Sequence, residues 1–181
     1  MKRFLASAMP VDDRPALARS LMALPSPHLR LAAPHPVFNL DATCVAPDGD
    51  VEACQMTAWR YVVLTGSNVV ASVGFAASSR DELPRHPYIG GQRMAVAVVA
   101  AIGLAERSRY ARKGQFVLAS IRLPALQASA IWLREIDGNR KQDLFVPIIR
   151  TSTGFAAGRA LDCGRWMQDL NDSKKRLARG S

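Results

Sequence analysis

The sequence has no apolar run long enough to cross a membrane as a helix. Its longest stretch without a polar side chain, Met94 to Ala105, holds about 12 residues, and a spanning helix needs roughly 20. Cysteine and histidine are scarce, at three residues each. Cys44, Cys54 and Cys163 are too few, and odd in number, to make a disulfide framework, so reduced thiols are expected. The opening MKRFLASAM is cut by Pro10 and by Asp12 and Asp13 before it reaches the apolar length of a secretory leader. The expected address is the cytoplasm, with no membrane contact. There is no Gly-rich phosphate loop, His-Glu zinc helix, nucleophile elbow or paired CxxC. Those gaps exclude several large enzyme classes in their usual form.

What the chain does have is apolar material and positive charge. Half of its 181 residues are hydrophobic, enough for one domain with a sizeable core. The charge is lopsided. Residues 1–56 carry five Lys/Arg against six Asp/Glu, whereas residues 57–181 carry 19 against nine. A balance this basic favours anionic partners. Arginine outnumbers lysine 19 to 5, a bias that a GC-rich genome also produces, so the charge alone does not argue for phosphate binding.

The pattern predicts an α+β fold: a mainly antiparallel sheet in ββ-α-βββ order on one long helix, with short N- and C-terminal helices. WRYVVLTGSNVVASVGFAA reads as a hairpin, because apolar residues alternate on either side of Gly66-Ser67-Asn68. GQRMAVAVVAAIGLAERSRYARK reads as a helix, apolar nearly all round from Met94 to Ala105 and therefore buried on every side. Ala97, Ala101 and Ala105 form its small-residue stripe, and Gly114 is the expected stop. FVLASIRLPAL, ASAIWLREIDG and DLFVPII read as three further strands, the last at an edge because Pro147 cannot donate to a ladder.

The ends are less regular. Residues 1–36 form a Pro-rich segment in which Ala16 to Leu24 makes one short helix and SPHLRLAAPHP an extended connector. VFNLDA, from Val37, is a short strand opening the core domain at 37–161. Residues 162–181 supply a C-terminal helix with Trp166, Met167 and Leu170 on its apolar face, ending in a frayed basic tail.

Several constellations invite chemistry and are weak on spacing. His28, His35, Cys44 and Cys54 are zinc-type ligands, but they are not paired two to five apart as structural zinc sites require. Asp48, Asp50 and Glu52 lack the further oxygen ligands of a calcium loop and read as a solvated turn. Cys163 with His86, or Cys44 with His35, would need an activating contact that spacing does not supply. No catalytic residue, metal or cofactor is expected.

The basic features are Arg107, Arg109, Arg112 and Lys113 at the end of the long helix, and Lys174, Lys175, Arg176 and Arg179 in the tail. Set on one side of the domain, they would suit nucleic acid or another polyanion. The strand residues Ile131, Trp132, Leu133, Val146 and Ile148 leave more apolar surface than one helix can cover, which calls for the C-terminal helix or a second subunit. The leading expectation is a non-enzymatic interaction or accessory module whose partner is itself or another protein. The alternatives are a nucleic-acid-binding protein on those cations and a small-molecule-binding or hydrolytic domain.

Overall fold

A sheet that is apolar on both faces needs two covers, and the fold supplies a helix for each. The computed structural model describes residues 29–45, 51, 54–77, 88–108, 111, 115–136, 142–148 and 158–179. Among them the elements run β1 (Leu29–Asn39), β2 (Gln55–Thr65), β3 (Asn68–Ala76), β4 (Tyr88–Gly90), α1 (Gln92–Arg107), β5 (Phe116–Leu123), β6 (Ala128–Glu135), β7 (Leu144–Pro147), β8 (Leu161–Asp162) and α2 (Cys163–Arg179). All eight strands join one sheet in the order β4-β3-β2-β1-β5-β6-β7-β8. Every pairing is antiparallel except the central one, where Val37 to Asn39 of β1 run parallel to Ser120 to Arg122 of β5.

That order is one plan used twice: four strands in a meander, then a helix. The two meanders start side by side at β1 and β5 and spread in opposite directions. Such a pair is related by an axis along the central strands, which swaps the faces of the sheet. The helices accordingly land on opposite faces. Ile131 and Leu133 of β6 point to the side where Val98, Ala101, Ile102 and Ala105 of α1 pack. Trp132 between them points to the other side, toward Trp166, Met167 and Leu170 of α2.

The mainly antiparallel sheet and the central helix match the expectation from pattern, but the element order and number do not. β4 and β8, at three and two residues, are too short to carry a period-two signal. β1 was hidden by proline: the connector expected before Val37 is strand from Leu29 onward. Pro34 and Pro36 fit because a bulge breaks the β1–β2 register between Ala32 and His35, with Ala33 at φ 50°. They also precede the stretch that pairs with β5. Pro147 is not on an edge strand. It ends β7 beyond Leu144 and Phe145, the two residues that β8 reaches, so its missing donor breaks no ladder.

The helices differ from expectation at their ends. α1 stops at Arg107, because Ser108 turns extended and its hydroxyl accepts from the Ala111 N–H at 3.1 Å. A serine that offers its side chain to the backbone competes with the helix in this way. The expected stop at Gly114 lies outside the described residues. α2 is the expected C-terminal helix, and it stays helical to Arg179 through the stretch where fraying was expected. Asp162 starts it by accepting from the Arg165 N–H at 2.8 Å. The short helix expected at Ala16 to Leu24 is outside the described residues.

Packing explains why these elements stay together. Under α2 an aromatic column runs through the sheet: Phe38 meets Trp132 edge-on at 5.4 Å, Trp132 stacks on Phe145 at 5.7 Å, and Phe145 stacks on Trp166 at 5.6 Å. Trp132 Nε1 donates to the buried Asp143 carboxylate at 2.8 Å, which also accepts from the Glu135 N–H. Under α1 each fully buried Val or Ile contributes about 1.5–3 kcal/mol.

Candidate functional site

Strand register builds a polar row where the sequence showed only a hairpin. His35, Arg60, Gly74 and Tyr88 are direct cross-strand partners on β1, β2, β3 and β4, and therefore share the α1 face of the sheet. Gly74 contributes no side chain, and the Tyr88 ring lies over it so closely that a Cβ there would meet the ring carbons. The phenol oxygen thereby reaches Arg60 and accepts from Nη2 at 3.3 Å.

The row is buried and under-satisfied. Arg60 is 5% exposed and His35 is fully buried, while Tyr88 on the edge strand stays partly open. His35 Nδ1 donates to the Ala33 carbonyl at 2.6 Å, which leaves Nε2 as an acceptor without a donor. Arg60 Nε is likewise buried without a partner. Burial pushes the His35 pKa down to about 4 and the Arg60 charge adds to that, against the opposing bond to Ala33. At neutral pH the row therefore holds one buried cation and a neutral imidazole. A third orphaned group, the Ser120 hydroxyl, lies one step along the same face beside Val37.

A groove of about 430 Å³ opens at the carboxyl ends of the central parallel pair. The chain leaves β1 toward β2 and leaves β5 toward β6, in opposite directions, which opens a crevice as at the switch point of a parallel sheet. Asn39, Asp41, Gln55 and Thr57 line it, closed on one side by Pro124 and Ala125. Asp41 accepts from the Thr43 N–H and hydroxyl at 2.8 and 2.7 Å. Those bonds, helped by nearby Lys174, hold its carboxyl below the usual range.

No protein-family model, curated protein or solved structure matches this chain.

The residues singled out from sequence fall differently. Arg107 is exposed on the last turn of α1, while Lys174, Lys175, Arg176 and Arg179 are exposed on the last turns of α2. The two basic features thus ride on helices on opposite faces of the sheet. Arg109, Arg112 and Lys113 lie outside the described residues. Lys174 Nζ donates to the Ala42 carbonyl at 3.0 Å, tying α2 to the rim of the groove.

Ile131, Leu133, Val146 and Ile148 are core under α1, and Trp132 is core under α2. None of the five is open at the surface: α1 itself covers four of them, and α2 covers Trp132. The open apolar surface is elsewhere. The stripe of Ala97, Ala101 and Ala105 faces the sheet as its spacing implies, yet the opposite side of α1 is not buried. Val96 there is 48% exposed and Ala100 is exposed too.

The zinc-type set is not brought together. His35 is on the α1 face, whereas Cys44 and Cys54 pack against the α2-side core. His28, His86, Asp48, Asp50 and Glu52 lie outside the described residues. Pattern reading missed the polar row because its members are spread over more than 50 residues. Only the register, with a bulge in β1, aligns them.

Proposed function

We propose that this chain is a non-enzymatic interaction module that assembles with a second copy of itself through the outer side of α1. The observation that carries it is the exposure of Val96 on a helix with no polar side chain from Met94 to Ala105. Helices that meet water keep a polar side, and a helix without one is normally buried all round. The outer residues Val96, Ala100 and Gly103 recur at helical spacing and are small, so two copies of the helix can approach closely once the Arg107 guanidinium, which lies over Gly103, swings aside. Light scattering on the purified chain tests this: a dimer that Val96→Glu turns into a monomer supports it, and a monomeric parent chain contradicts it.

A second reading rests on α2, whose last turns expose Lys174, Lys175, Arg176 and Arg179. It is binding to nucleic acid through those cations, with an affinity that falls steeply with salt. Replacing Lys175 and Arg179 by Gln would reduce the salt slope, and an unchanged slope would count against it.

A further inference from the structure

The Arg60 guanidinium is a buried charge with little to satisfy it. It is 5% exposed, yet its one hydrogen bond goes to a neutral phenol at 3.3 Å, and its Nε has no partner. A buried charge is ordinarily paired, since desolvation without compensation is costly. No carboxylate stands in the row: its members are His35, Arg60, Gly74 and Tyr88. A guanidinium in that state is matched by an oxyanion.

His35 narrows the choice. With Nδ1–H given to Ala33, its Nε2 offers a lone pair on the same face as Arg60. A ligand satisfying both groups has anionic oxygens for the guanidinium and a hydroxyl for the imidazole. Inorganic phosphate near neutral pH has both, whereas a phosphate monoester is by then mostly a dianion without a hydroxyl, and sulfate and ionised carboxylates lack one too. Tyr88 is placed to yield, because it sits on a three-residue edge strand and is held to Arg60 by one long bond.

We infer that Arg60 and His35 form a binding site for inorganic phosphate, which displaces the Tyr88 phenol from the guanidinium. The site is independent of the outer face of α1 and of self-association.

The test is a titration of the full chain with inorganic phosphate, followed through the His35 imidazole resonance, with sodium chloride at matched ionic strength as control. A saturable shift with phosphate alone is expected, with sulfate and acetate weaker. Arg60→Lys keeps the charge but loses the forked donor, so affinity should fall about tenfold or more. Tyr88→Phe leaves Arg60 in place and removes its competitor, and should bind at least as tightly as the parent, which decides the matter if Arg60→Lys fails to fold. No saturable shift, an equal shift in chloride, undiminished binding by a folded Arg60→Lys, or loss of binding in Tyr88→Phe would each overturn the inference.

Discussion

Tyr88 and Arg60 lie two strands apart and still touch, because Gly74 stands between them. The glycine is required by a close approach and not by a turn, since a methyl at that position would occupy the space of the Tyr88 ring. An aromatic laid over a glycine near a sheet edge also fixes the register of the edge strand.

Gly74→Ala should therefore cost about 1–3 kcal/mol, the usual penalty for overpacking. The same change in a Tyr88→Ala background should cost much less, because the ring it collides with is gone. Urea unfolding of the four proteins in that cycle measures the coupling. Equal costs in both backgrounds would mean that the ring does not rest on Gly74.

His35 predicts a pH dependence. Its folded pKa is about 4 against an ordinary 6.5, so between those values the unfolded chain binds a proton that the native chain refuses. Stability is then complete above about 6.5, declines as pH falls toward 4, and levels below it. The full loss is about 3 kcal/mol. Urea midpoints from pH 7.5 down to pH 4.5 should fall more steeply for the parent than for His35→Gln, and parallel curves would contradict this.

Gln127 ends the short turn of Pro124–Leu126 with φ 48° and ψ 29°, the left-handed region, and its side chain is exposed. A side chain there costs about 1 kcal/mol that glycine avoids. Gln127→Gly should raise the melting temperature by a few degrees, and a lower one would show that the turn needs the side chain.

Trp132→Phe keeps a ring in the aromatic column but removes the donor to the buried Asp143 carboxylate. Bonds to charged groups contribute about 1.5–3 kcal/mol, so a loss of that order is expected in denaturant unfolding. Asp143→Asn should cost much less in that background than alone, because the two changes strike one bond.

The parts of the fold visible in the sequence are those with a strong period. The Gly66-Ser67 turn closes the β2–β3 hairpin with Gly66 at φ 59°, and Trp166, Met167 and Leu170 form the buried side of α2. The strands missed were short or broken by proline, where propensity argues against strand and tertiary pairing overrides it. Basic residues were legible as charges, but not as lying on opposite faces, which depends on the sheet order. The polar row was invisible for a similar reason. His35 among prolines reads as a loop histidine, and only pairing with Arg60 turns it into a buried neighbour of a cation.

The most direct test of function is the mass of the purified chain in solution by size-exclusion chromatography with light scattering, run beside Val96→Glu. Assembly through α1 predicts twice the 19.7 kDa chain mass for the parent and the single-chain mass for the variant. A parent chain of single mass, or a variant that remains a dimer, would contradict it.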